Sequence, residues 1–120
     1  MSAISIFLIV LVALEHLYFL YIEMFAWETI GKKTFTSIPE NLFTPTKKIA
    51  ANQGLYNGFL AAGLVWSVLI NDHTWHVNIA VFFLCCVITA GIYGAITASK
   101  KIFFVQAIPA IIALTVLSIK

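Results

Sequence analysis

Four long apolar runs constrain this chain more than any other feature: Ala3 to Trp27, Ile49 to Ile70, Val77 to Ala98 and Ile102 to Ile119. As α-helices they reach about 27 to 37 Å, matched to a hydrocarbon core of about 30 Å. In lipid only helices or closed barrels satisfy every backbone polar group, and these runs lack the alternation of barrel strands. The expected fold is therefore all-α, a four-helix transmembrane bundle in a single integral membrane domain spanning residues 1–120. Composition agrees: 62% of residues are hydrophobic and only 10% charged, against about a quarter charged in soluble domains. The net charge of +2 comes from Lys, and there is no Arg. Without guanidinium forks to grip phosphate or guanine, nucleic acid is not an expected partner.

Met1-Ser2-Ala3-Ile4 has no basic segment, the first apolar run continues past Tyr21, and no small-residue cleavage site follows. The run is expected to be a retained helix, not a cleaved signal. Loop charges give its direction. Lys32, Lys33, Lys47 and Lys48 fall in the first loop, Lys100 and Lys101 in the third, and none in the second, Asn71 to His76. Positive loops stay cytoplasmic, so both termini are expected outside, with the long first loop inside. Only Lys120 opposes the count. Trp27 at the inner end, and Trp66 and Trp75 at the outer end, are placed as aromatic-belt residues would be.

The first loop reads two ways. Ser37-Ile38-Pro39-Glu40 has capping-box spacing, and Ile38, Leu42 and Phe43 suit a short interfacial helix. A solvated linker with two prolines fits equally. Thr44-Pro45 reads as the N-cap and first residue of the second span. Small residues mark helix contacts at Gly54-x-x-x-Gly58, Ala90-x-x-x-Gly94, Gly91-x-x-x-Ala95 and Gly94-x-x-x-Ala98.

Polar side chains then gather at one depth. Glu15 and His16 fall mid-span in the first run, and Glu23 lies about 10 Å nearer the cytoplasm. His16 and Glu23, seven apart, share a helix face with Phe19 and Trp27, while Glu15 flanks it. Asn52, Gln53, Tyr56 and Asn57 open the second run, Tyr93 and Thr97 end the third, and Gln106 begins the fourth. Pro109 frees the Val105 carbonyl beside Gln106. A charge at a helix centre costs at least about 2.5 kcal/mol, so Glu15 must be neutral, paired or hydrated. The acid/base candidates are Glu15, His16 and Glu23, although Glu23 is close enough to Trp27 to snorkel. The ligand-binding candidates are Asn52, Gln53, Tyr56, Asn57, Tyr93 and Gln106. Any of these amides and hydroxyls can instead bolt helices together for about 0.6 kcal/mol each. Cys85 and Cys86 read as soft apolar packing. Asp72, His73 and His76 are a weak metal pattern, and neither a metal nor another cofactor is expected.

Glu15-His16-Leu17-Tyr18, Glu23-Met24-Phe25-x-Trp27, the block Asn52 to Leu60, Gly91-x-Tyr93-Gly94-Ala95-x-Thr97 and Gln106-x-x-Pro109-Ala110 carry a resemblance over nearly the whole chain. It resembles the small bacterial and fungal membrane proteins grouped as a domain of unknown function, DUF1304. The resemblance implies four membrane helices and no established activity. Its motif residues coincide with the polar cluster at Glu23, Asn52, Gln53, Asn57 and Gln106.

Three functions fit these features. The first is binding or transport of a small lipophilic or amphipathic molecule in the bilayer, where transport by four helices would call for a homo-oligomer. The second is an intramembrane acid/base enzyme, isomerase-like, on a lipid-like substrate. The third is a structural partner subunit of another membrane protein. A bacterial cytoplasmic membrane is the expected location.

Overall fold

The computed structural model describes residues 1–119, so Lys120 lies outside the described residues. The described chain is helical and, among these residues, has no strand. Helix α1 (Ala3–Phe25) begins at Ser2, whose hydroxyl accepts the Ser5 N–H, and ends at Ala26. A short helix α2 (Ile30–Thr34) and a 3-10 turn (Glu40–Leu42) lead to α3 (Lys47–Leu69). Helix α4 (His73–Thr97) follows a tight turn, and α5 (Lys100–Ser118) completes the chain. Helices α1, α4 and α5 are long and apolar enough to cross a membrane. Helix α3 matches α1 in length but carries Lys47, Lys48, Asn52, Gln53 and Asn57 in its first half, which lowers its mean apolarity.

The long helices pack as a ring in the order α1, α3, α4, α5, closing from α5 back to α1. Glycine makes the close approaches. A Cβ at Gly54 would meet Met24 and Glu23 of α1, and one at Gly91 would lie 2.9 Å from the Ala107 backbone nitrogen. Close approach of this kind gains van der Waals contact between the helix backbones. The two ends of the ring differ. One half is filled by apolar side chains including Ile9, Val12, Leu64, Leu84 and Val87, all essentially inaccessible. The other half, toward the first and third loops, is where the polar residues collect.

Several local features depart from the sequence reading. Trp27 is not a membrane-belt anchor. Its ring packs on Phe35 and Phe43, its Nε1–H donates to Thr46 Oγ1 at 3.0 Å, and it is 8% exposed. Together with Ile22, Ala50 and the half-buried Ile30 and Ile38 it forms a small second core. The first loop is thus a folded cap, neither an interfacial helix nor a solvated linker, because Phe43 is drawn wholly inside instead of onto a membrane surface. Thr44 does not cap α3. Its hydroxyl donates to Glu28 Oε2 at 2.8 Å, Lys47 pairs with the other Glu28 oxygen at 3.3 Å, and α3 starts at Lys47. Helix α4 starts earlier than the expected Val77, because Asp72 accepts the Trp75 N–H and nucleates the turn through His73 and His76.

Helix α5 is continuous but not uniform. It opens as α-helix over Lys100–Ile102, widens to a π-helical stretch over Phe103–Ala107 and resumes over Ile108–Ser118. Within the wide turn the Ile108 N–H bonds the Phe103 carbonyl five residues back. Pro109 explains the location: its ring cannot pack against an ordinary preceding turn, and one extra residue relieves the clash.

Candidate functional site

The half of the ring next to the loops encloses a partly open cavity of about 720 Å³. Its walls come from α1, α3, α4 and α5, and its mouth from Thr34 to Ser37 of the folded first loop and from Ser99 and Lys101. The cap holds that mouth in place, since Phe35 is packed on Trp27 and the Lys101 ammonium reaches the Thr34 carbonyl at 3.5 Å. Polarity is graded with depth. Hydroxyls and Lys101 rim the mouth, Glu23, Gln53 and Asn57 form a middle belt, and Phe19, Leu60 and Cys86 wall the far end. From Gly94 at the near end to Cys86 at the far end α4 rises about 12 Å.

Glu23 is set into this cavity by its position one turn before the end of α1. Asn57, 6% exposed, donates its side-chain N–H to Glu23 Oε1 at 2.5 Å. The register follows from Gly54, whose lack of a side chain lets α3 lie against Glu23 and Met24. Gln53, one residue before Gly54, also lines the cavity, and Tyr56 and Tyr93 stand at its edge, 53% and 69% exposed.

Gln106 lines the cavity from α5 and links it to the interior. Its side-chain nitrogen lies 3.1 Å from His16 Nε2, while His16 Nδ1 lies 2.9 Å from the Val12 carbonyl. A carbonyl can only accept, so Nδ1 carries a proton and donates to Val12. Nε2 is then free to accept from the Gln106 amide, which makes His16 a neutral Nδ1–H imidazole in this arrangement. His16 is 0% exposed and stacks edge-on with Phe19 at 5.4 Å, a residue that does line the cavity. The π-helical turn supports this link, since Gln106 lies within it.

The structure therefore brings Glu23, Gln53, Tyr56, Asn57, Tyr93 and Gln106 to one cavity, with His16 held behind Gln106. It does not bring Glu15 or Asn52 there. Glu15 is half-buried on a different side of α1, with its Oε1 enclosed and without a hydrogen-bond partner. Asn52 is exposed. Contributors that were not anticipated include Cys86, the Thr34–Ser37 strap, and Ser99 with Lys101. Cys86 was detectable in principle, because it lies on the same α4 stripe as Ala90 and Gly94, at spacings of four. The loop residues carried no local signal, because tertiary packing of the cap places them.

At the capped end, Glu28 is the carboxylate with the clearest electrostatic assignment. The Thr44 hydroxyl, and after it the Lys47 ammonium, hold its carboxyl below the ordinary value.

The family described as "Protein of unknown function (DUF1304)" matches residues 10–118. A relative from Lactococcus lactis subsp. lactis, described as the uncharacterised protein YpaA, is 33% identical over 116 residues, covering 95% of this chain and 96% of the relative. No solved structure matches the chain. The chain belongs to the DUF1304 family.

Proposed function

We propose that this DUF1304 member is a four-pass protein of the bacterial cytoplasmic membrane that binds a small amphipathic molecule in the capped cavity. In this reading α3 spans the bilayer with the other three long helices, its Gln53 and Asn57 turned to the cavity. Both termini lie outside, and the loops carrying Lys32 to Lys48 and Lys100 to Lys101 lie in the cytoplasm. The ligand's head meets Glu23, Gln53 and Asn57, and its apolar part runs toward Phe19, Leu60 and Cys86. Tyr56, Phe59 and Tyr93, outward-facing at the cavity edge, offer a lateral way in from the inner leaflet. The site is built from one chain, so binding does not call for a second copy.

One observation carries the proposal: the polar side chains converge on an open volume instead of bonding only to one another. Helix-bolting amides would leave no cavity between them. The volume also falls in the range of small-molecule pockets, about 300 to 1,000 Å³.

Cys86 provides the test. In protein carrying Cys85→Ala and reconstituted in nanodiscs, a membrane-permeant maleimide should alkylate Cys86. Saturating single-chain twelve-carbon amphiphiles should slow that reaction. An alkylation rate unmoved by any such amphiphile would reject the ligand-binding reading.

A further inference from the structure

Among the described residues Glu23 is the one carboxylate lining the cavity, and the other charged lining residue, Lys101, does not pair with it. Lys101 lies at the exposed mouth, where its ammonium is turned to the Thr34 carbonyl. Among the described residues the ion pair present is Lys47 with Glu28, on the outside of the cap. Glu23 has a neutral donor in Asn57 and, among the described residues, no cation paired with it. A carboxylate removed from water is stable only when neutralised or paired, and an open volume beside it lets a ligand provide the pair.

The walls favour the same chemistry. Phe19 lies one helical turn from Glu23 on α1, and Tyr56 and Phe59 pair at 5.7 Å on α3. Aromatic faces carry negative potential and attract ammonium groups, most strongly out of water. A cavity that holds one carboxylate and has aromatic residues in its walls and at its edge is thus matched to a positively charged head carrying its own apolar bulk. We propose that the cavity selects amphiphiles with a cationic amine or quaternary ammonium head, with Glu23 as the counter-charge and Phe19, Tyr56 and Phe59 as the surrounding aromatic faces. This inference rests on the cavity being a ligand site, and it names the ligand's charge.

Three twelve-carbon probes separate the cases: dodecyltrimethylammonium, dodecanol and dodecyl sulfate, each titrated against Cys86 alkylation in Cys85→Ala protein. Nanodiscs of uncharged galactolipid keep the bilayer from sorting the probes by charge. The ammonium probe should protect at concentrations on the order of tenfold below dodecanol, the worth of about 1.4 kcal/mol. Glu23→Gln should abolish that advantage, bringing the ammonium probe level with dodecanol, and a cooperative thermal unfolding transition in detergent shows that the variant is folded. Tyr56→Leu, with the carboxylate intact, should reduce the advantage selectively. Equal protection by all three probes, unchanged in Glu23→Gln, would overturn the head-charge inference while leaving amphiphile binding standing. A preference for dodecyl sulfate that Lys101→Gln removes would overturn it too, and would locate the selecting charge at the mouth. Protection by none of the three would remove the ligand-binding reading and this inference together.

Discussion

Glu15 and Glu23 are carboxylates of one helix, eight residues apart, and their neighbours give them different parts. Glu23 accepts a hydrogen bond from the buried Asn57, whereas Glu15 has an enclosed oxygen with no partner. Asn57→Leu should therefore lower stability by about 1–3 kcal/mol, because it strands a carboxylate that had been satisfied. Asn52→Leu, at an exposed position, should stay within about 0.5 kcal/mol. Glu15→Leu should be neutral or stabilising, since it removes an unsatisfied group, while His16→Leu should destabilise by depriving Gln106 of its partner. Unfolding midpoints of the purified variants in one detergent check all four. Both carboxylates were identifiable in the sequence by depth, whereas their different surroundings were not. Mid-span Glu15 looked the more purposeful and Glu23 the more easily solvated, because depth is legible in a sequence but the partner across a helix interface is not.

Glu28 carries the pH prediction. Its carboxyl is held below its ordinary value first by Thr44 and then by Lys47. A group whose folded value is depressed contributes stability above its unfolded value and loses it as pH falls through the folded one. The cap should accordingly loosen in acid below the usual carboxylate range, by a modest amount because Glu28 is solvent-exposed and screened. Thr44→Val should shrink the acid-dependent part of the change. Trp27 fluorescence followed against pH in protein carrying Trp66→Phe and Trp75→Phe reports it, since Trp27 is in the cap core.

At the scale of elements, the glycines sort by what faces them. A Cβ at Gly91 would press on the Ala107 backbone, which cannot yield without moving α5, whereas one at Gly58 would meet the flexible end of Leu20. Gly91→Ala should cost about 1–3 kcal/mol by overpacking, and Gly58→Ala clearly less, as read by thermal unfolding in detergent. The small-residue spacings that pointed to close helix contacts were readable because lipid-embedded helices have few other ways to hold together. The π-helical turn was half legible. Pro109 announced a disturbed turn and a freed carbonyl, but its resolution by one extra residue, which brings Gln106 to His16, depends on what α1 presents opposite. Asp72 was read as a weak metal ligand because His73 and His76 follow it. Its position just before the first turn of α4 was the better signal, that of an N-cap.

For the whole molecule, the helical class and the long segments were legible because hydrophobic length is additive along the chain. The folded cap was not. Phe35, Ile38 and Phe43 look like scattered apolar residues of a linker until Trp27 collects them. That cap also covers the cavity end of the ring and gives the cavity its defined mouth. Orientation is open to direct labelling: Ser37→Cys should resist an impermeant thiol reagent in intact cells and Asn71→Cys should react, and the reverse pattern would invert the topology. Most direct for the central claim is native mass spectrometry of protein released gently from its own membrane, compared with Ala90→Phe. Ala90 lines the cavity without contributing to its polar belt, so the larger side chain intrudes on the space a ligand would take and leaves Glu23 and Asn57 in place. A cavity that holds a ligand predicts a defined non-covalent mass on the unaltered protein that is lost from Ala90→Phe. Bare protein alone, or an added mass that survives undiminished in Ala90→Phe, would contradict it.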